Sequence, residues 1–303
     1  MNLTTLYQTF VTLAELGTMS KTADALSYSQ PTVSMQIEAL EKHYGVPLLE
    51  FRKMRYVLTE EGKVLHSYAT TILRLVQEAS EAIGEFKALE RGTLRVGATS
   101  NIGVYLLPNI LSSFRRKFPG ITVSVLIDHP RIIEERVLES ALNLGILEAA
   151  VADNHRLIVE PWREEPLLLI TSPKHPWASR RSIAPDELLG SPFVVGGRGS
   201  GTSRVLDAQL GGTGRKIKVE LDLGSTEAVK KAVESNLGIS IVNQSSVSRE
   251  IRLGTLQCVP IEGVELHKTF CLIWPRDRHL TLATTRFLSL LRDMRDSTPS
   301  GGE

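Results

Sequence analysis

Cysteine is nearly absent from this chain, and the two that occur, Cys258 and Cys271, lie thirteen apart with no CxxC or Cys/His spacing around them. That excludes a disulfide framework and a cysteine-based zinc site, and both thiols read as small buried hydrophobes. No stretch approaches the roughly 20 uninterrupted apolar residues that a membrane span requires. The start, MNLTTLYQTF, has no basic segment leading into an apolar one, so a cytoplasmic chain without membrane contact is expected. An excess of charge of either sign is missing as well: the formal net charge is +1 over 303 residues. Residues 1–60 hold only Lys21, Lys42, Arg52, Lys53 and Arg55 against Glu15, Asp24, Glu38, Glu41, Glu50 and Glu60. Any nucleic-acid binding must therefore be legible in pattern, because the usual basic excess is confined to positions 52–55. What remains, 42% hydrophobic and 23% charged residues, is the composition of ordinary folded domains, with length for about two.

The first sixty residues carry that pattern. Leu3, Leu6, Phe10, Leu13 and Ala14 recur at helical spacing until Gly17 ends the run. A second, short helix is expected from Ser20 as cap, carrying Ala23, Ala25 and Leu26, small enough for close helix approach. Ser27, Tyr28 and Ser29 form a tight turn, and a third helix follows with Ser29 as cap and Pro31 in its first turn, where a missing amide hydrogen costs nothing. This is the spacing of a helix-turn-helix. Val33, Ile37 and Leu40 face inward, which leaves Gln30, Pro31, Thr32, Ser34, Met35 and Glu38 outward. Gln30 can pair with an adenine edge, Ser34 with a base or phosphate, and the Pro31 and Thr32 carbons can touch a thymine methyl. Residues 51–59 (FRKMRYVLT) read as a two-stranded wing in which Arg52, Lys53 and Arg55 neutralise phosphates.

Residues 23–41 (ADALSYSQPTVSMQIEALE), with 44–49 (YGVPLL) and 58–62 (LTEEG), resemble the N-terminal signature of LysR-type transcriptional regulators in residue type and spacing. The resemblance implies Gln30, Pro31, Thr32 and Ser34 on the DNA face and Arg52 and Arg55 in the wing. Met35, where the family usually has a basic residue, and the acidic Glu38 depart from it, so no operator sequence follows.

Residues 61–89 contain no proline, and Leu65, Ile72, Ala79 and Phe86 recur every seven, accompanied by Tyr68/Ala69, Leu75/Val76, Ala82/Ile83 and Leu89. A lone helix cannot bury such a seam, so a partner helix from a second copy is expected; packing against the chain's own C-terminal domain is the alternative. Gly92 is expected to terminate this helix.

Beyond it, strand and helix patterns alternate: 94–98, 102–118, 121–127, 132–142, 145–147, 166–171, 193–195, 203–210, 226–235 and 239–242. That predicts an α/β domain with mainly parallel sheets. Two extended segments, 158–170 and 267–274, would carry the chain out of one lobe and back, leaving a cleft between two lobes. The resemblance extends here to a periplasmic-binding-protein-like fold, on 92–97 (GTLRVG), 199–202 (GSGT), 224–228 (GSTEA) and 238–240 (GIS). The second and third of these segments look most similar to the branch of the family governing sulfur assimilation or carbon fixation. Ligands in such sheets sit at strand carboxyl ends, where helix N-termini receive anions. Thr99, Ser100 and Asn101 on one side, and Ser200, Thr202 and Ser203 on the other, are the expected effector contacts; helix capping is their bland alternative. At 128–131 (DHPR) the family's Gly followed by Ser or Thr is replaced, which adds His129 to the candidates.

The resulting expectation is an all-α winged helix-turn-helix domain (1–60), a linker dimerisation helix (61–91), an effector domain (92–296; lobe I 92–162 and 267–296, lobe II 163–266) and a tail (297–303). Such a chain would be an activator working as a homodimer or homotetramer with RNA polymerase, switched by a small anionic co-inducer and needing no other cofactor or metal. A constitutive or repressing regulator, a solute-binding protein and an enzyme are the alternatives. A solute-binding protein would not explain the helix-turn-helix. The segment 196–201 (GGRGSG) is neither GxGxxG nor GxxxxGK[ST], and no HExxH or GxSxG occurs.

Overall fold

In the computed structural model, which describes residues 2–85, 92–148, 154–197, 201–210 and 217–296, the chain divides into two units, Met1–Leu89 and Glu90–Glu303. In the first, the Asn2 side chain caps helix α1 (Leu3–Leu16), and Gly17 ends it in the left-handed region at φ +74°. The cap of α2 (Met19–Leu26) is Thr18 rather than Ser20. A cap residue needs extended backbone, which Thr18 has at φ −142° and ψ 141°, whereas Ser20 already lies inside the first turn. Ser27 at φ +57° closes α2, and α3 (Gln30–Tyr44) starts from Ser29 with Pro31 in its first turn. Leu6, Phe10, Leu13, Ile37 and Leu40 meet in one core. Thr9 and Gln36, both buried in this unit, satisfy each other by a hydrogen bond.

The chain then forms the antiparallel hairpin of β1 (Leu49–Arg52) and β2 (Arg55–Leu58) and enters α4 (Glu60–Glu85). Leu65, Ala69 and Leu73 on α4 pack into the same core as α1 and α3. The expected seam is corrected accordingly: Leu65 serves its own head, while Val64, Tyr68, Leu75 and Val76 are exposed with Ile72 and Ala79. Two adjacent rows of i, i+4 neighbours divide the work, one held by the head and one left open. Phe86 lies outside the described residues.

In the second unit β3 (Gly92–Ala98) lies between β4 (Ile121–Ile127) and β5 (Leu144–Leu147), parallel to both. Gly92 is the first residue of this strand, paired opposite Ile121; the residues before it, 86–91, lie outside the described ones. A π-helical turn, Ile102–Leu106, runs into α5 (Leu107–Lys117), and α6 (Pro130–Leu138) follows β4. The long strand β6 (Leu157–Thr171) carries the chain onward to β7 (Phe193–Val195), α7 (Gly201–Gln209), β8 (Val219–Asp222), α8 (Thr226–Glu234), β9 (Ser240–Asn243), α9 (Gln244–Leu253) and β10 (Gln257–Cys258). β11 (Leu266–Pro275) returns, and α10 (Leu282–Asp296) closes the fold.

The main sheet has the order β10-β6-β11-β5-β3-β4, with β9 also on β6. It is mixed rather than mainly parallel: β11 runs antiparallel to β5 and β6, and β9 and β10 antiparallel to β6. A strand that leaves a lobe and one that comes back must point in opposite directions when they lie side by side. Phe114, Phe270 and Phe287 fill one core of lobe I beneath α5 and α10, and Ile133 and Val137 of α6 cover the other face. Lobe II has its own cores around Phe193 and Val233. Cys271 is buried as expected, whereas Cys258, in the two-residue strand β10, is only half-buried.

At the corner where the hairpin enters α4, a Cβ on Gly62 would sit 2.0 Å from the Leu48 carbonyl oxygen. Gly62→Ala is expected to destabilise the first unit by about 1–3 kcal/mol, the cost of forced overpacking. A lowered urea midpoint for the full chain checks it, and an unchanged midpoint would mean that the corner relaxes freely.

Candidate functional site

On α3 the outward residues are unequal. Gln30, Pro31 and Met35 are exposed, Met35 by 58%. Thr32 and Ser34 are half-covered and partly engaged: Thr32 hydrogen-bonds Ser29 at 2.8 Å, and the Ser34 hydroxyl donates to Glu38 at 3.1 Å. In the wing, Lys53 and Met54 form the tip with φ +47° and +64°. These are the angles of a type I′ hairpin turn, which needs positive φ at both central positions and favours Asn-Gly, so Lys and Met here hold strain of order 1–3 kcal/mol per residue. Met54, at the tip, is 78% exposed.

Arg52 and Arg55 face each other across the hairpin, and each has a negative neighbour. Glu50 pairs with Arg52 at 2.9 Å, and the Arg55 guanidinium reaches the Leu16 carbonyl at the carboxyl end of α1. Arg55 thus supplies a positive charge to a helix whose last turn has none, a structural duty beside the expected phosphate contact.

In the second unit β3 delivers residues 99–101 to its carboxyl end. Thr99 is buried, its amide donates to the Ile146 carbonyl at 3.1 Å, and its hydroxyl has no hydrogen-bond partner among the described residues. Ser100 is exposed. Asn101 is fully engaged: its amide and side-chain NH2 donate to Glu148 at 3.2 and 3.1 Å, and its carbonyl oxygen accepts from Thr226 at 2.8 Å. Thr202, on α7, accepts from Lys268 Nζ at 3.3 Å, and the same ammonium donates to Glu148 at 2.6 Å. Asn243, at the end of β9, completes the group at 3.4 Å from Glu148. Asn101 and Thr202, predicted from separate loops, are therefore drawn into one network. His129 stands apart as the cap of α6, exposed, its ring nitrogen accepting from Arg131. Ser200 and the Ser203 side chain lie outside the described residues.

The centre of the network was missed by sequence reasoning. Lys268 was readable only as a charge on the same face as the apolar Leu266 and Phe270, and Glu148 as an acid directly after the apolar run Leu144–Leu147. Burial pushes the Glu148 carboxyl up, but Lys268 and the surrounding donors outweigh it and hold it below the usual carboxylate range. A second set of contacts joins the π-helical turn to α8. Tyr105 donates to Glu227 at 2.5 Å, and its ring lies 4.8 Å from Lys230, which is itself buried between Glu227 and Glu250. Burial and the bond to Glu227 push the Tyr105 phenol well above its ordinary range. Among the described residues no group of His, Cys, Asp and Glu could hold a metal ion, and no helix is long and apolar enough to cross a membrane.

A winged head with an exposed helix face, in one chain with a two-lobed domain whose polar groups converge, defines a DNA-binding regulator with an effector-binding domain. The family profile described as "Bacterial regulatory helix-turn-helix protein, lysR family" matches residues 4–63, and that described as "LysR substrate binding domain" matches residues 87–296. The chain belongs to the LysR family of transcriptional regulators. It is 34% identical over 280 residues to a probable RuBisCO transcriptional regulator of Guillardia theta, spanning 91% of this chain and 90% of the other. It is 32% identical to the HTH-type transcriptional activator CmpR of Synechocystis sp., over 94% and 93% of the two chains. The regulatory domain of CcmR from Synechocystis PCC6803, in complex with 2-PG, covers 69% of this chain and 100% of its own length with a TM-score of 0.61 and 25% identity.

Glu148 with Lys268, Glu160 with Arg292, and Glu227 with Lys230 are all held below the ordinary carboxylate range. A carboxyl lowered in the folded state contributes stability that is complete above its unfolded value, about 4.3 for Glu, and is lost as pH falls through the folded value. The melting temperature is therefore expected to fall steadily below about pH 4.3. A melting profile flat from pH 6 to 3 would contradict the pairing.

Proposed function

We propose that this chain is a transcriptional activator that binds DNA as a homodimer or homotetramer and responds to a small anionic metabolite held between its lobes. The observation that carries the effector part is the convergence of Asn101 and Thr202 on one ammonium–carboxylate pair, Lys268 and Glu148. Helix-start donors and a lysine suit an anion. The exposed row Val64, Tyr68, Ile72, Leu75 and Ala79 supports a partner helix from a second copy. Likeness to CmpR, named an activator, and to probable RuBisCO regulators supports activation of a RuBisCO-related target, with RNA polymerase as the partner an activator must reach. The protein acts by binding, in the cytoplasm where its DNA is, and needs no cofactor beyond the metabolite.

The mechanism follows from differential binding. Asn101 belongs to one lobe and Thr226 and Thr202 to the other, so a ligand held among them favours the closed cleft. Moving the closed fraction from one in a hundred to ninety-nine in a hundred takes about 5.5 kcal/mol of differential affinity, within reach of a few charge-assisted hydrogen bonds.

At the DNA, Gln30→Ala is expected to change sequence preference, while Arg52→Ala weakens specific and random duplexes alike and lowers the salt slope by about 1. Fluorescence-anisotropy titrations over a salt series check both, and the reverse pattern would exchange the two roles. In the cleft, Ser100→Ala/Thr202→Val is expected to abolish the metabolite response while leaving DNA affinity within about twofold. The checks are gel shift and transcription in vitro, with 2-PG as the first metabolite tried. Retained response would move the effector site elsewhere, and lost DNA binding would make these residues structural.

A further inference from the structure

Four donors converge on the Glu148 carboxylate: the Asn101 amide at 3.2 Å, its side-chain NH2 at 3.1 Å, Asn243 Nδ2 at 3.4 Å and Lys268 Nζ at 2.6 Å. The Asn101 amide stands at the start of a helical run, the kind of donor that receives anions. The Lys268 ammonium also donates to Thr202, the residue expected to touch the effector from the other lobe. The donors suited to an effector's anionic group are thus already spent, on an anion that belongs to the chain.

Lys268 and Glu148 are both largely buried, with side-chain exposures of 3% and 12%, and together they are neutral. A second anion brought against this pair would meet Glu148 at short range in a medium that screens poorly, with one ammonium to serve two negative groups. Exchange avoids that repulsion, because one anion replaces another on Lys268 and the balance of charge is kept.

From this, and resting on the cleft reading above, we infer that Glu148 is a tethered occupant of the effector's anion subsite, and that the effector binds by displacing it from Lys268 and Asn101. The tether sets the selectivity. A carboxylate attached to the protein loses no translational freedom on binding, so a free monoanion of similar basicity competes poorly with it. A dianionic group such as a phosphate prevails, because it offers more charge to Lys268 and more acceptors to the surrounding donors. Glu148 therefore works as a threshold that admits phosphate-bearing effectors and rejects simple carboxylates.

The test is isothermal titration of the full chain with inorganic phosphate and, separately, acetate at pH 7.5. The wild type is expected to bind phosphate weakly and acetate not measurably. Glu148→Gln should raise phosphate affinity at least tenfold and bring acetate into the measurable range, and Lys268→Met should lose both. Glu148→Gln leaves a buried lysine without its counter-ion, so Glu148→Asp, which keeps the charge on a shorter tether, serves as a second variant with a smaller gain expected. The double variant Glu148→Gln/Lys268→Met, neutral like the original pair, should fold and bind neither anion. Unchanged or weaker phosphate binding in both Glu148 variants overturns the inference, as does a double variant that binds phosphate as tightly as Glu148→Gln. If Lys268→Met abolishes phosphate binding while the Glu148 variants leave it unchanged, the cleft reading stands and tethered occupancy falls. If neither Lys268→Met nor Thr202→Val affects phosphate binding, the ligand sits elsewhere and the cleft reading itself fails.

Discussion

The Glu148–Lys268 contact sits where the second unit is most constrained. β5 ends directly before Glu148, and β11 carries Lys268 three residues before Cys271, which lies opposite Leu147 of β5. Burying either charge alone would be prohibitive, and burying both is tolerable only with good geometry and the remaining oxygens and protons satisfied. Asn101, Asn243 and Thr202 supply that satisfaction, and in doing so they bring in the β3 carboxyl end, the β9 end and α7. The arrangement of loops around the cleft is thus the shell that one buried ion pair requires.

The two crossing strands make this possible. β6 is fifteen residues long and pairs with β11 along its first part, then with β9 and β10 along its last. One strand therefore belongs to both lobes and changes partners along its length. Two contacts that bridge the lobes away from those strands, Asn101 with Thr226 and Tyr105 with Glu227, start from the stretch that contains the π-helical turn. Irregular helical turns of this kind concentrate at functional sites, since they redirect side chains that a regular helix would align elsewhere.

The head solves a different problem with few charges. Its wing places Arg52 and Arg55 opposite each other, which is unfavourable by itself, and offsets this with Glu50 and the carboxyl end of α1. The strained turn at Lys53 and Met54 then projects the tip outward. In the head, as in the cleft, positive groups are held by internal acceptors, in keeping with a chain of nearly zero net charge.

Local signals were enough for much of this. Helical periodicity, the Ser29 cap with Pro31, and Gly17 determined the helix-turn-helix, and β-branched runs determined most strands, because each depends on neighbours within a few residues. The family resemblance likewise rested on motifs contiguous in the chain. The sequence also marked Asn101 and Thr202 as polar groups at helix starts, but not that they share one ion pair. Strand direction, the division of α4 between its own head and an open row, and the pairing of residues 148 and 268 were decided only by tertiary structure. Each depends on groups far apart in the chain, and the apolar neighbours of Glu148 and Lys268 mark each as an inward charge without naming its partner until the fold brings them to 2.6 Å.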